Sequence, residues 1–177
     1  SFIVSEKNNF YNRLFFIEPN GDYYTYDKRH TFTLANEHLT YTSGKELLTI
    51  NFLGWKICPF ICYDLRFPVW ARNTCDYDLL IYTANWPLKR IDAWDTLLRA
   101  RAIENMAYCV GVNRTGKDDN LNQYNGHSAI YDVLGKQLTT TKYEGNFYET
   151  IILEKTHIVS ERAHFQFLSD RDHFTLN

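Results

Sequence analysis

An α/β domain is the fold class this chain predicts, and three observations predict it. Apolar runs that read as strands alternate with a segment whose apolar residues recur at helical spacing. Those runs end abruptly in polar and aromatic residues, as strands do where they feed loops lining a crevice. Aromatics make up 16% of the 177 residues, with thirteen tyrosines and twelve phenylalanines against one methionine, a composition suited to pleated, half-buried surfaces.

The elements follow in order. The opening SFIVS reads as a strand. RLFFIEPNGDYYTYDK reads as a hairpin with arms Leu14–Ile17 and Tyr23–Tyr26 around Pro19-Asn20-Gly21. EHLTYTSG is polar loop, and KELLTINFLGWKICPFIC is a second hairpin turning at Leu53-Gly54. Its returning arm is almost continuously apolar, which suits a strand buried on both faces. A short helix is expected from Pro68 to Thr74, with proline in its first turn. Leu79–Thr83 is the next strand. From Ala93 to Tyr108, Trp94, Leu97, Leu98, Ala102 and Ile103 recur at helical spacing. AYCVGVNRTG gives a third buried strand. SAIYDVLGKQLTT and NFYETIILE form a meander turning at Leu134-Gly135, and THIVSERAHF closes the chain as a short helix.

Composition narrows the function classes. The net charge is −2 and the pI about 6.3, with no basic stripe, which points away from a nucleic-acid partner. No apolar run approaches the ~18 residues of a membrane span, and no charged and apolar leader opens the chain. Cys58, Cys62, Cys75 and Cys109 form no CxxC pair, and no ligand-spaced histidine pair lies near them. Reduced thiols in a cytoplasmic protein, without structural zinc, are therefore expected.

The segment FICYDLRFPVW carries the first chemical signal. Cys58 and Cys109 lie inside apolar runs, where thiols pack as small hydrophobes. Cys62 lies at a strand's exit, where a thiol can face a cleft. Asn85-Trp86 and Asn113-Arg114 follow other strand ends, and Lys28 follows the arm Tyr23–Tyr26. A nucleophilic thiol needs a base or a nearby positive charge, and its intermediate needs an oxyanion site. His30 and His127 are candidate bases, though neither stands in a Cys/His protease context, and Lys28 is the candidate charge.

YDKRHTF followed by ANEHLTYTSG, then ICYDLRFPVW and LLRARAIENMAYCVGVNRTG, resembles the nitrilase superfamily of carbon–nitrogen hydrolases, with its nearest likeness in the ω-amidase branch. The order and spacing match from Tyr26 to Gly135. The resemblance implies an αββα sandwich of two mixed sheets with outer helices, the single domain 1–177 carrying the C-terminal two-thirds of that fold. It makes Cys62 the nucleophile, Lys28 its cationic partner and Glu37, seven residues before Gly44, a supporting carboxylate. Lys28 and the backbone N–H of Tyr63 would hold the oxyanion. The family's general-base glutamate has no match: Glu6 lies on an edge strand and Glu18 in a hairpin turn, so it is expected on a strand–loop upstream of these residues. Expressed without it, the 177 residues are expected to be poorly soluble and inactive.

Substrate-binding candidates are Arg66, Asn85 and Trp86. Arg66 either binds a substrate carboxylate or pairs with Asp64, and Trp86 is either pocket wall or core. Arg99, Arg101 and Glu104 are either the solvated face of a helix or, as the family match of RARAIEN implies, residues making inward polar contacts. The implied reaction is cofactor-free and metal-free hydrolysis of a small non-peptide amide, an ω-amide of a 2-oxo dicarboxylate, by a homo-oligomer. Alternatives are a β-ureidopropionase or other carbamoyl-amide hydrolase, a non-catalytic assembly protein of the same fold, and, more weakly, a redox-thiol protein.

Overall fold

The computed structural model describes residues 1–140 and 145–176. β1 (Phe2–Glu6), β2 (Asn9–Ile17) and β3 (Tyr23–Asp27) form an antiparallel three-stranded sheet. The β1–β2 turn is made by Lys7 and Asn8, both at positive φ (48° and 65°), the geometry that matches the twist of a two-residue hairpin. The expected β2–β3 hairpin forms, pairing Ile17 with Tyr23 and Arg13 with Asp27.

The second sheet is five-stranded and mixed. β4 (Ile50–Phe52), β5 (Trp55–Ile61), β6 (Leu79–Ala84), β7 (Tyr108–Asn113) and β10 (Ala129–Tyr131) lie in the order β10-β7-β6-β5-β4. The inner three are parallel and both edge pairings are antiparallel. β8 (Thr115–Lys117) and β9 (Gln123–Asn125) form a separate small hairpin. The near-continuous apolar strands are explained by burial on both faces, with alternate side chains going to each. Cys58, Phe60, Leu80, Tyr82 and Cys109 pack with Trp94, Leu98 and Ala102 of helix α1 (Ile91–Asn105). Ile57, Leu79 and Tyr108 pack with Ile158 of helix α2 (Lys155–Phe165). The three-stranded sheet feeds both clusters, Tyr26 meeting Phe60 edge-on and Phe16 meeting Phe52. Buried Asp78 anchors α2, lying 3.0 Å from Lys155 Nζ and 3.6 Å from Arg162.

Two expected elements differ. Pro68 to Thr74 is not a helix: it makes one turn, closed by Ala71 N–H to Phe67 O and Arg72 N–H to Val69 O. The Asn73 side chain binds the backbone N–H and C=O of Tyr77 and the C=O of Asn105. Such local side-chain bonds compete with helical ones and stop propagation. The meander is also incomplete. Its turn stands where expected, with the Asp132 carboxylate capping the N–H groups of Leu134 and Lys136, but among the described residues a single isolated bridge, Tyr131 to Gln137, follows it. Residues 146–154 form no strand. The Glu149 carboxylate accepts the Thr140 N–H.

Helix α1 is held close to β7 by Gly111. A Cβ there would lie 2.3 Å from Leu98 Cδ1 and 2.7 Å from the Trp94 ring. Gly111→Ala should therefore destabilise the protein by about 1–3 kcal/mol, as overpacked cores do. Urea unfolding would show a lower midpoint at unchanged slope, whereas an unchanged midpoint would mean that α1 yields freely.

Candidate active site

Lys28 is the first residue past β3 and is almost fully buried, at 3% exposure. An ammonium so placed needs a partner. Its Nζ donates to Glu37 Oε2 at 2.5 Å, and that oxygen also accepts the Phe32 N–H at 2.8 Å. Glu37 begins a short 3-10 turn, Glu37–Leu39, from which the chain returns to β3 through Gly44. Gly44 N–H bonds Lys28 O, and a Cβ on Gly44 would sit 2.1 Å from the Asp27 carbonyl oxygen. Only glycine allows that approach, which gives the Glu37-to-Gly44 spacing its physical reason.

Cys62 is the first residue past β5, opening the 3-10 turn Cys62–Arg66. Its φ is +46°, a left-handed conformation that costs a side-chain-bearing residue about 1–2 kcal/mol. Sharp, strained turns of this kind lift a side chain out of a sheet end. Asp64, fully buried two residues later, restrains the turn. Its carboxylate accepts the Ile61 N–H (3.1 Å), the Tyr26 hydroxyl (2.9 Å) and the His30 N–H (2.9 Å), and lies 2.8 Å from His30 Nδ1. Trp70 Nε1 donates to the Tyr26 hydroxyl in turn. From the other side, buried Arg101 of α1 donates to Leu65 O at 2.6 Å and to Glu104 Oε1 at 2.8 Å.

Lys28, Glu37, Cys62 and Tyr63 line one cavity of about 1070 Å³, together with Arg66, Asn85 and Trp86. Burial pushes the Cys62 thiol above the ordinary range. The Lys28 charge and a hydrogen bond from the Asn85 backbone oppose that shift without overcoming it, and Glu37 and Asp64 add to it. The positive charge expected beside the thiol is present, yet the resting sulfur is held as thiol rather than thiolate.

A sequence model of the family described as Carbon-nitrogen hydrolase matches residues 1–155. The chain belongs to that family. It is 54% identical over 125 residues to an "Omega-amidase YafV" of Yersinia enterocolitica, covering 71% of this chain and 49% of that protein. It is 37% identical to a "2-oxoglutaramate amidase" of Bacillus subtilis, covering 86% of this chain and 58% of that one. A crystal structure of XC1258 from Xanthomonas campestris, described as a CN-hydrolase superfamily protein with an arsenic adduct in its active site, superposes with a TM-score of 0.94 at 41% identity. That superposition covers 99% of this chain and 69% of the other, and it establishes the nitrilase-type α/β sandwich. The chain thus spans about half the length of the curated ω-amidases it matches.

The remaining candidates in this member of the family are placed as follows. Arg66 does not pair with Asp64, whose oxygens are taken by Tyr26, His30 and Ile61; its guanidinium lies 5.0 Å above the Trp86 ring. Trp86 is both wall and core, 3% exposed and clamped by buried Asn113 through its N–H (2.7 Å) and C=O (2.9 Å). Arg101 and Glu104 turn inward as expected, whereas Arg99 stays exposed over the Tyr131 ring. His30 and His127 do not line the cavity; they face Asp64 and Asp95. Glu6 pairs with Arg13, and neither it nor Glu18 reaches the cavity. Among the described residues, no cluster of three metal-ligating side chains occurs, and no helix is long and apolar enough to cross a membrane.

Sequence reading missed Phe32, Lys89 and Arg90 as cavity residues, and Asn12 and Thr83, whose Oδ1 and Oγ1 are buried there without a hydrogen-bond partner among the described residues. Thr83 lies at a strand end, which was a usable signal.

Because the thiol of Cys62 is raised by burial, its thiolate population at neutral pH lies below that of an ordinary cysteine, whose pKa is about 8.5. Iodoacetamide labelling of Cys62 should accelerate with rising pH beyond that value. It should still outrun Cys58 and Cys109, which are fully buried, do not line the cavity and are also pushed up by burial. Site-resolved mass spectrometry would check both. A plateau of Cys62 labelling below pH 8 would contradict the buried-thiol picture.

Proposed function

We propose that the protein hydrolyses the C–N bond of a small non-peptide amide, an ω-amide of a 2-oxo dicarboxylate, with Cys62 as nucleophile. The observation that carries this reading is the meeting of the Cys62 thiol, the buried Lys28 ammonium and the Glu37 carboxylate in one cavity, on strand ends 34 residues apart, in a chain of this family.

In this reading Cys62 Sγ attacks the amide carbon, and the carbonyl electron pair moves to oxygen. Lys28 Nζ and the Tyr63 N–H hold that oxyanion. Collapse expels ammonia and leaves a thioester. Water then adds to the thioester, and a second collapse returns the thiol and releases the acid. Because the resting sulfur is protonated, its proton must be carried to the leaving nitrogen. Among the described residues the carboxylates lining the cavity are Glu37 and Asp118, and both already accept hydrogen bonds. The resemblance gives that transfer to a glutamate that neither Glu6 nor Glu18 matches. Arg66, fixed over Trp86 at the cavity edge, is suited to a substrate carboxylate. The relatives described as ω-amidases and a 2-oxoglutaramate amidase support this substrate class. Four free thiols suit a reducing cytoplasm, and the family likeness suggests a homo-oligomer.

The test is ammonia release from 2-oxoglutaramate by the protein as its gene encodes it. Turnover is expected, reduced by roughly 10⁴-fold or more in Cys62→Ser and by roughly 10²–10³-fold in Lys28→Met, which removes an oxyanion donor. Retained turnover in Cys62→Ser, or turnover confined to carbamoyl amides, would contradict the reading.

A further inference from the structure

The cavity carries more positive charge than the proposed chemistry uses. Lys28 is neutralised by Glu37, yet Arg66, Lys89, Arg90 and Arg114 also line the space, against Asp118 as the one further carboxylate among the described residues. These cations differ in how far they are already engaged. Arg114 donates to Lys117 O and lies over Tyr124, and Lys89 is exposed. Arg90 is half-buried, its guanidinium 5.2 Å above the Phe32 ring, and among the described residues it donates no side-chain hydrogen bond and has no carboxylate partner.

Both neighbours of Arg90 belong to the site. Phe32 is the residue whose N–H holds Glu37, the partner of Lys28. The Arg90 carbonyl accepts the indole N–H of Trp86, on whose ring Arg66 rests. Two guanidinium groups thus lie over aromatic rings of the cavity wall, Arg66 over Trp86 and Arg90 over Phe32, and among the described residues neither donates a side-chain hydrogen bond. Arg90 also immediately precedes α1, so the positive end of that helix's dipole lies beside it. A pre-set, partly desolvated guanidinium loses little entropy on binding an anion and matches a carboxylate with two donors.

We propose that Arg90 is a specificity-determining residue that binds the carboxylate end of the substrate, so that the site selects amides of acids over neutral amides. This rests on the proposed amidase reading and adds to it a second carboxylate contact beyond Arg66. Arg90 takes no part in bond making; its contribution lies in the affinity for the acid group.

The experiment compares Arg90→Gln and Arg90→Lys with the parent, using the protein as its gene encodes it. Kinetics are measured on 2-oxoglutaramate and on butyramide, a neutral amide, and binding of 2-oxoglutarate is followed by calorimetry. The ratio of kcat/KM for the acid amide over the neutral one should fall about 10- to 100-fold in Arg90→Gln, the range of a charge-assisted hydrogen bond. The fall should come through KM, with Arg90→Lys intermediate. The 2-oxoglutarate Kd should rise by a similar factor. An unchanged ratio, or an equal loss on both amides, would overturn the proposal, as would a parent protein that does not bind 2-oxoglutarate. If neither amide is turned over, the amidase reading fails, and the calorimetric comparison alone decides Arg90. If Arg90→Gln does not fold, Arg90→Lys decides: a Kd raised threefold or more supports the contact, and an unchanged Kd overturns it.

Discussion

The Asp64 carboxylate sits inside the protein with no solvent contact, and it survives there because it is held on every side. It accepts from the Ile61 N–H, the Tyr26 hydroxyl and the His30 N–H, and meets His30 Nδ1. Removing a buried carboxylate from water costs several kcal/mol unless its lone pairs are satisfied, so these partners have to be assembled together. Their positions in the chain explain what the network achieves. Tyr26 and His30 stand two residues before and two after Lys28, while Asp64 stands two after Cys62. One carboxylate therefore brackets the lysine and restrains the turn that carries the thiol. Elements far apart in sequence are brought to one cavity by polar contacts, and the apolar clusters fix the sheets behind them.

The other features of the site depend on that constraint. Cys62 occupies a left-handed conformation whose cost has to be met by surrounding structure, and Asp64 beneath the turn with Arg101 behind it supplies the restraint. The same burial that fixes the turn raises the thiol, and the Lys28 charge offsets the shift only in part. Burial and charge thus act against each other on one sulfur, leaving a protonated resting thiol near an ammonium. In the proposed reaction such a thiol would have to lose its proton as it attacks.

Much of the fold was legible because it rests on local rules. The three parallel strands read as apolar runs, α1 as a helical period, and the hairpins as turn residues between apolar arms. Cys62, Lys28 and Trp86 were visible as residues at strand ends, and the family resemblance supplied Glu37. What escaped depends on contacts between distant residues. The sequence left Arg66 either to bind a substrate carboxylate or to pair with Asp64, since nothing in it announces that Tyr26 and His30 will claim the Asp64 oxygens. The helix expected after Pro68 was lost to Asn73, whose long-range bond to Asn105 no local propensity contains. Arg90 carried no signal at all: its place follows from where α1 begins and from Phe32 packing beneath it.

The central claim is that Asp64 positions Lys28 against Cys62, and a double-mutant cycle on the thiol tests it most directly. The pH dependence of Cys62 alkylation would be measured in the parent, in Lys28→Met, in Asp64→Asn and in the double variant, with folding checked by circular dichroism. In the parent background, Lys28→Met should move the thiol's midpoint upward, because a charge that favours thiolate is removed. In the Asp64→Asn background the same change should have a much smaller effect, since the lysine is no longer held beside the sulfur. An equal upward shift in both backgrounds would show that Lys28 reaches Cys62 without Asp64, and the account would be wrong.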